Sequence, residues 1–250
     1  MSGFVSLVGA GPGDPELLTV RGLRRLRDAD LVLNDALVDA ELLELAPKAQ
    51  RFYVGKRAGR HSIAQEEIHG LMIKAARRRQ RVVRLKAGDP FVLGRGGEEA
   101  LALEEAGVAY EVVPGLSSAI AAPALAGIPV THRGTASGFV VVSGHAESAY
   151  APILDGMSPG AITIVVLMGL ANRAAIAARL VERGWRSSTP AALIHGASQK
   201  HSITLIGTLD SLGEAAFPTE LPAAIVIGEA VALADRIGAA ARTEPVRRSV

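Results

Sequence analysis

The chain has 250 residues, of which 49% are hydrophobic and 21% are charged, a composition typical of a folded globular protein. Its 27 basic and 25 acidic residues give a formal net charge of +2, which is too small to indicate nucleic-acid binding by itself. Because cysteine is absent, a disulfide framework, a thiol nucleophile and a cysteine-based metal site are excluded, and a cytoplasmic location is expected. The N-terminus has no signal-peptide pattern, and no apolar stretch is long enough to span a bilayer.

The first part of the chain predicts strands that alternate with helices. Apolar runs predict five strands, at residues 4–8, 29–34, 52–54, 81–85 and 110–113. Helices are expected at residues 17–27, 40–45, 63–79 and 98–107. Thr19 is the predicted N-cap of the first helix, because its hydroxyl can accept a hydrogen bond from a free backbone N–H. Since parallel strands need a crossover connection, this alternation predicts a parallel sheet.

The second part of the chain follows a predicted hinge at residues 113–115 and has shorter strands, less regularly separated by helices. Strands are expected at residues 138–142, 162–168, 191–194, 202–207 and 223–227. A helix is expected at residues 172–183, and Ser117 or Ser118 can cap an alanine-rich helix after the hinge. The irregular alternation predicts a mixed sheet. The expected domains are therefore an N-terminal α/β subdomain (1–113), a C-terminal α/β subdomain (114–240) and a flexible tail (241–250).

A glycine-rich loop, residues 9–14, connects the first strand to the first helix, as in dinucleotide-binding folds. The third glycine of the GxGxxG pattern would be residue 14, which here is Asp14, and a carboxylate would repel a pyrophosphate. Pro12 also removes an N–H group that could bind a phosphate. The pattern therefore disfavours NAD and FAD. It leaves open a loop for another ligand, or a tight turn in which the glycines only supply backbone freedom.

Polar residues also follow the other predicted strands of the first sheet. Asp35 follows the second strand and residues 87–90, Ala-Gly-Asp-Pro, follow the fourth. The third strand is followed by four basic or titratable residues: Lys56, Arg57, Arg60 and His61. Ligands of open α/β sheets bind at the carboxyl ends of the strands, where this basic group would suit an anionic substrate or form a solvated loop. Asp89 is expected to bind a ribose or an amino group, or to form an Asx-type turn.

Other titratable residues carry weaker signals. Glu98 and Glu99 open a helix, where acidic residues are ordinary partners of the helix dipole, so no catalytic role is expected for them. The six histidines show no paired metal-ligand spacing, and no metal site is predicted. His132 stands out only because residues 131–133 form the compact polar triplet Thr-His-Arg. No GxSxG pattern indicates an esterase-type nucleophile.

Several sequence blocks, in order, resemble one family. They are LVGAGPGDPELLTVRGLRRLRDADLVLNDALV, VGKRAGRH, QEEI, VVRLKAGDPFVLGRGGEE, VVPGLSSA, GIPVTHR and VLMGL, and the resemblance as a whole runs from Val5 to about Leu233. They are similar to the uroporphyrinogen-III C-methyltransferases of the tetrapyrrole (precorrin) methylase family, in the stand-alone form without an additional domain. Several blocks in the correct order are more specific than any single motif.

The resemblance implies a fold of two α/β subdomains with S-adenosylmethionine in the cleft between them, and a homodimer. It implies C-methylation of uroporphyrinogen III at carbons 2 and 7, through precorrin-1 to precorrin-2, with S-adenosylhomocysteine as the other product. This reaction belongs to the biosynthesis of sirohaem and cobalamin. No nucleic-acid or membrane partner is expected.

The resemblance also implies roles for individual residues. Asp35 matches the family's proton acceptor and Lys56 its proton donor, although both residues could instead orient the macrocycle. The matched cofactor-binding positions are Pro12, Ala87, Gly88, Asp89, Val92, Ser117, Ser118, Met168, Ala197 and Val226. Expected partners of the substrate carboxylates are Arg57, Arg60, His61, His132 and Arg133.

Three short segments depart from the family pattern. Asn34 stands where the family usually has Tyr, and Gly134-Thr135 stands where Asp-Tyr is frequent; both lie on the expected substrate side. Ala87 replaces a glycine, which is tolerated if its φ is negative.

Three alternatives stay open at this stage. They are a later precorrin methyltransferase, a fold-related RNA ribose methyltransferase and a non-enzymatic sensor of S-adenosylmethionine. The blocks LKAGDPFVLGRGGEE and GKRAGRH favour the first enzyme of the pathway over a later one. The small net charge disfavours RNA, and Asp35 with Lys56 disfavours a sensor.

Overall fold

The computed structural model describes residues 3–55, 63–214 and 221–237. The chain divides into two compact units between Ser117 and Ser118, just after the predicted hinge, and each unit contains its own five-stranded sheet. The α/β fold class is confirmed, with a parallel first sheet and a mixed second sheet. The domain limits expected from the sequence stay a prediction.

The first unit is built on a fully parallel sheet. Its strands are β1 (Phe4–Gly9), β2 (Leu31–Asn34), β3 (Gln50–Tyr53), β4 (Arg81–Lys86) and β5 (Tyr110–Val113). Their spatial order is β3-β2-β4-β1-β5, so β1 and β4 are interior strands. Strands of this kind are buried on both faces and are usually apolar throughout. β1 follows that rule except at the buried Ser6, whereas β4 carries the charged residues Arg84 and Lys86 in buried positions.

The helices of the first unit connect these strands. They are α1 (Val20–Asp28), α2 (Ala40–Glu44), α3 (Gln65–Arg77) and α4 (Gly96–Glu105). The predicted N-cap of α1 is confirmed, because the Thr19 hydroxyl accepts a hydrogen bond from the Gly22 N–H at 3.1 Å. In α3, Ile68, Met72 and Ala75 recur at helical spacing and are all buried, so they form its apolar face.

The second unit is built on a mixed sheet. Its strands are β6 (Gly138–Ser143), β7 (Ile162–Leu167), β8 (Pro190–His195), β9 (Ile203–Thr208) and β10 (Ala223–Ile227). Their order is β6-β7-β10-β8-β9, and β6 and β7 are parallel whereas the other neighbours are antiparallel. Since β10 runs opposite to both β7 and β8, the carboxyl ends of β6, β7 and β8 lie at one edge of this sheet.

The second unit also contains five α-helices within its described residues. They are α5 (Ser118–Leu125), α6 (Glu147–Asp155), α7 (Arg173–Glu182), α8 (Leu209–Leu212) and α9 (Ala234–Ile237). Sequence reasoning did not predict α6, because Pro152 lies inside it and proline disfavours a helix interior. The helix forms because Tyr150 and Leu154, four residues apart, both lie buried in the core.

Each sheet is covered by apolar side chains on both faces. In the first unit, Leu7 and Met72 belong to one buried cluster, and Val8 and Leu85 belong to the cluster on the other face. The second unit repeats this arrangement around Ile225 and Val226. Burying one such side chain contributes roughly 1.5–3 kcal/mol to the stability of the folded state, so the four clusters together stabilise both sheets. Within the described ranges, no helix is long and apolar enough to cross a membrane.

Candidate functional site

Three loops meet at the carboxyl edge of the first sheet, after β1, β4 and β5. Gly9, Gly88 and Gly115 pack there backbone to backbone. A Cβ atom at Gly9 would lie 2.6 Å from the Gly88 carbonyl oxygen and from the Gly115 Cα. A Cβ atom at Gly115 would lie 2.3 Å from the same oxygen. Because real Cβ atoms do not approach so closely, glycine is required where these three loops meet.

The glycine-rich loop after β1 is joined to the loop after β4 by backbone hydrogen bonds. The Gly11 N–H donates to the Gly88 carbonyl at 3.1 Å, and the Gly88 N–H donates to the Gly11 carbonyl at 2.8 Å. Pro12 follows this contact and is half-buried. Asp14 accepts a hydrogen bond from the Glu16 N–H at 2.8 Å and caps a short 3-10 helix at Pro15–Leu17. The residue that breaks the dinucleotide pattern therefore serves as a helix cap.

Asp89 anchors the loop after β4. Its Oδ1 atom accepts a hydrogen bond from the Phe91 N–H at 2.8 Å, which is the expected Asx-type turn. Its Oδ2 atom accepts from the Gly115 N–H at 3.0 Å, which ties the loops after β4 and β5 together. Each oxygen keeps a further lone pair, so a contact from Asp89 to a ligand stays a prediction. Val92 is half-buried in the same loop. Ala87 does not have a positive φ, so it meets the condition under which alanine can replace the family's glycine.

Asp35 lies at the same edge, directly after β2, and contacts a buried group of charges. Its Oδ1 atom forms a short ion pair with the guanidinium of Arg84, and its Oδ2 atom lies 3.9 Å from Lys86 Nζ. Arg84 Nε donates to Glu99 Oε1 at 2.9 Å, and Lys86 Nζ donates to the same oxygen at 3.0 Å. We call Asp35, Arg84, Lys86 and Glu99 the charged cluster.

The charged cluster is buried except at Asp35. The side chains of Arg84 and Lys86 are each 3% exposed and that of Glu99 is fully buried, whereas the Asp35 side chain is 29% exposed. Burial lowers the pKa of the Lys86 ammonium, and the positive charge of Arg84 lowers it further. The carboxylates of Glu99 and Asp35 oppose these effects. The cluster thus keeps two cations in the interior and brings one carboxylate to the edge of the sheet.

Sequence reasoning identified Asp35 but missed the rest of this cluster. Glu99 was interpreted as an ordinary partner of the helix dipole, which fits its exposed neighbour Glu98 better. A signal was present: Arg84 and Lys86 occupy alternate positions of a strand that should be buried on both faces. Buried cations need anionic partners, and acidic residues stood nearby at the ends of β2 and at the start of α4.

In the second unit, two predicted cofactor positions lie at the carboxyl edge of its sheet. Met168 follows β7, and Ala197 lies two residues after β8. Met168 is 52% exposed and has a φ of 58°, in the left-handed region that non-glycine residues rarely adopt. Strained residues of this type cluster at ligand sites. Val226 lies inside β10 opposite Val165 and is fully buried, and its expected contact with the cofactor stays a prediction.

The structure describes four of the eight remaining predicted site residues. His132 and Arg133 are exposed in a turn closed by two backbone hydrogen bonds of 2.9 Å between His132 and Ala136. Gly134, where the family often has aspartate, has a φ of 80° in this turn. Ser117 is buried and Ser118 begins α5. Four predicted residues lie outside the described part of the chain: Lys56, Arg57, Arg60 and His61.

Comparison with known proteins gives one family. A family model of tetrapyrrole (corrin/porphyrin) methylases matches residues 5–213. A uroporphyrinogen-III C-methyltransferase of Methanocaldococcus jannaschii is 48% identical over 240 residues, which cover 94% of this chain and 99% of the relative. A siroheme synthase of Actinobacillus succinogenes is also 48% identical, over 94% of this chain but only 50% of its own length.

Solved structures agree with this result. The crystal structure of a uroporphyrin-III C-methyl transferase from Thermus thermophilus complexed with S-adenyl homocysteine is similar, with a TM-score of 0.79 and 43% sequence identity. The similarity covers 92% of this chain and 100% of that chain.

Proposed function

Because the chain belongs to the tetrapyrrole (corrin/porphyrin) methylase family, we propose that it methylates uroporphyrinogen III with S-adenosylmethionine as the methyl donor. The observation that carries this proposal is the carboxyl edge of the first sheet. Three glycine-rich loops pack together there, and the carboxylate of Asp35 lies on the adjacent strand end. The alternatives of RNA methylation and cofactor sensing have no comparable support.

The residues at the loop edge fit the proposed cofactor. The loops after β1 and β4 approach each other without intervening side chains, which leaves backbone groups near Pro12 and Ala87 to bind a ligand. Asp14 is engaged as a helix cap, which agrees with a cofactor that has no pyrophosphate. We assign Pro12, Ala87–Asp89, Val92, Ser117, Ser118, Met168, Ala197 and Val226 to cofactor binding. When bound, S-adenosylmethionine supplies an electrophilic methyl group.

The proposed reaction mainly requires that the two reactants are aligned. An electron-rich pyrrole carbon of the substrate is the nucleophile, so neither a cysteine nor a hydrolase triad is required. Holding two reactants in line contributes roughly 7–11 kcal/mol toward lowering a barrier of this type. In this proposal the protein holds the two reactants in line and excludes water, and it forms no covalent bond to either of them.

The methylated ring carbon is fully substituted and carries no proton, so the positive charge of the alkylated macrocycle must be removed by loss of a proton from another of its positions. We assign this proton to Asp35, whose partly exposed carboxylate is held by Arg84 at the edge of the sheet. Lys56 is the proposed proton donor. General acid–base assistance of this kind typically contributes about 10²–10⁴-fold in rate.

Further parts of the proposal concern the substrate and the assembly. Basic side chains suit the substrate carboxylates, because guanidinium binds carboxylate in a two-pronged geometry. The residues assigned to this role are Arg57, Arg60, His61, His132 and Arg133. We also propose that methylation occurs at carbons 2 and 7, through precorrin-1 to precorrin-2, by a cytoplasmic homodimer. The product would enter sirohaem or cobalamin synthesis.

The direct test is incubation of the purified protein with uroporphyrinogen III and S-adenosylmethionine carrying a labelled methyl group. Two labelled methyl groups per tetrapyrrole are expected, and the oxidised product should fluoresce. Locating the labels by NMR tests carbons 2 and 7. If the tetrapyrrole carries no label, the proposed function is wrong.

A variant separates the role of Asp35 from cofactor binding. We expect Asp35→Asn to lower kcat by about 10²–10⁴-fold while the affinity for S-adenosylhomocysteine stays unchanged, because the amide cannot accept the proton. Asp39→Asn, in which only the exposed cap of α2 changes, is the matched control and should keep wild-type kcat. Equal turnover of Asp35→Asn and the wild type would leave Asp35 an orienting residue at most.

A further inference from the structure

Glu99 is the hub of the charged cluster. One oxygen, Oε1, accepts hydrogen bonds from Arg84 Nε at 2.9 Å, from Lys86 Nζ at 3.0 Å and from Gln65 Nε2 at 3.1 Å. The other oxygen, Oε2, is buried and has no hydrogen-bond partner among the described residues. A fully buried carboxylate is costly unless its surroundings hold it charged, and here two cations do so.

Arg84 connects this hub to the edge of the sheet. Its Nε atom binds Glu99, and its two terminal nitrogens bind Asp35 and the carbonyl oxygens of Leu33 and Leu85, the latter two at 3.3 Å. All three guanidinium nitrogens therefore have partners, and the planar group cannot rotate without breaking several of them. The position of Arg84 fixes the position of the Asp35 carboxylate.

The balance of charge also depends on Glu99. Arg84 and Lys86 are two cations on alternate residues of β4, and they face two anions, Glu99 and Asp35. Without Glu99, both buried cations would have Asp35 as their single acidic partner in the cluster. The carboxylate at the edge would then be drawn inward and engaged by Lys86 as well as Arg84.

We propose that Glu99 is a positioning residue for methyl transfer: it holds Arg84 and Lys86 in the interior and thereby leaves one face of the Asp35 carboxylate available to the substrate. This inference rests on the proposed function, in which Asp35 faces the tetrapyrrole. It gives a chemical role to a residue at the start of α4 that touches neither reactant.

The stability of the sheet alone does not require this buried ion-pair network. Well-packed apolar side chains of similar volume are often as stabilising as a buried ion pair, or more so. The other interior positions of β4, including Val83 and Leu85, are apolar. The charges at alternate positions of β4 connect the buried carboxylate of Glu99 to the partly exposed carboxylate of Asp35. This arrangement indicates that the charges have a functional role.

The test compares Glu99→Gln with Glu98→Gln in the full chain. Glutamine keeps the shape of Glu99 and removes its charge, and we expect kcat to fall by about 10–100-fold, as is typical when a supporting residue of a reactive group is replaced. The Kd for S-adenosylhomocysteine, measured by calorimetry, should change by less than about twofold, since Glu99 acts on turnover rather than on cofactor binding. Glu98 is exposed and pairs only with Arg95 within its own helix start, so Glu98→Gln should match the wild type.

A second variant keeps the test decisive if Glu99→Gln does not fold. Glu99→Asp retains the buried charge but withdraws the carboxylate by one methylene, and we expect a smaller fall in kcat, about 3–10-fold, with unchanged cofactor affinity. A wild-type kcat in the foldable variant would overturn the inference. So would a loss of cofactor affinity and melting temperature parallel to the loss of kcat, because that pattern indicates general damage to the fold. If the wild type itself methylates no tetrapyrrole, the proposed function fails first, and the two failures are distinguishable.

Discussion

The two sheets of this protein organise their carboxyl edges in different ways. The edge of the first sheet is supported by charge: Arg84, Lys86 and Glu99 are buried beneath it, and Asp35 ends the chain of ion pairs. The central strands of the second sheet are almost entirely apolar. At that edge the exposed Met168 takes up a left-handed backbone conformation, which Leu93 and Arg95 also adopt in the loop after β4 of the first unit.

The difference teaches that buried charge can support one α/β edge and be lacking at another, whereas left-handed non-glycine residues follow strands of both sheets. Charge is suited to holding a reactive carboxylate in one position, because ion pairs in a dry interior are directional and strong. Strain is suited to presenting a long apolar side chain, because it turns the chain outward at one residue. Perturbing each edge separately can break or sharpen this comparison.

The largest effect is expected from Arg84→Met, which removes the connection between Glu99 and Asp35. Breaking a buried ion pair by removing one partner costs about 3–5 kcal/mol, because the remaining charge stays buried and uncompensated. Urea denaturation would measure this loss. Arg81→Met, at the exposed start of the same strand, should lose only about 0–1 kcal/mol with its Asp30 pair. Similar losses at both positions would mean that the buried network carries no special weight.

At the second edge, Met168→Gly should be more stable than Met168→Ala by about 1 kcal/mol, since only glycine adopts a positive φ without strain. The order reverses at ordinary helical positions. Ala178, exposed within α7, is the matched site, where glycine should cost roughly 0.5–1 kcal/mol relative to alanine. Thermal melting of the two pairs gives the comparison, and an alanine variant as stable as the glycine variant would remove the case for strain at Met168.

The apolar core beneath the second edge should respond in small steps. Ile225→Val deletes one fully buried methylene group and is expected to cost about 0.5–1.5 kcal/mol, through lost burial and a small cavity. Ile237→Val, at a side chain that is 53% exposed, is the control and should change stability by less than about 0.5 kcal/mol. A loss at Ile225 as large as that at Arg84 would show that the two edges are equally sensitive.

The smallest effect is a pH dependence from Lys86. Its pKa in the folded protein lies below the ordinary value of 10.5, so the unfolded chain binds more protons between those two pH values. Stability contributed by this residue therefore rises with pH through that window. The unfolding free energy of the wild type, minus that of Lys86→Met, should therefore increase as the pH approaches 10.5. A difference that falls with pH would contradict the direction.

Much of the fold could be predicted because local patterns and packing agree. The parallel first sheet followed from apolar runs alternating with helical periodicity, and β5 was predicted with the bounds that the structure has. The cap at Thr19 followed from the chemistry of one side chain. Helix α6 was missed because the local cost of Pro152 was visible in the sequence, whereas the burial of Tyr150 and Leu154 was not.

The site was less predictable, because its contacts join residues distant in sequence. Asp35 could be found from its place after a strand, but its partner Arg84 comes from another strand and Glu99 from a helix. The cofactor contact expected at Val226 rests on the family resemblance and stays a prediction, since the structure gives only the place of this residue in the middle of β10. Spacing along a chain fixes which edge a residue reaches, whereas the pairing of charges depends on how strands are ordered in the sheet.

The reciprocal hydrogen bonds between Gly11 and Gly88 impose a limit on how the chain can change in length. Both bonds use only backbone atoms, so neighbouring side chains can vary while the contact stays the same. Inserting or deleting one residue between Gly9 and Gly11, or between Lys86 and Gly88, would move the donors and acceptors out of alignment. These two loops therefore tolerate substitutions better than insertions or deletions. Ordinary surface loops differ, because they accept added residues easily.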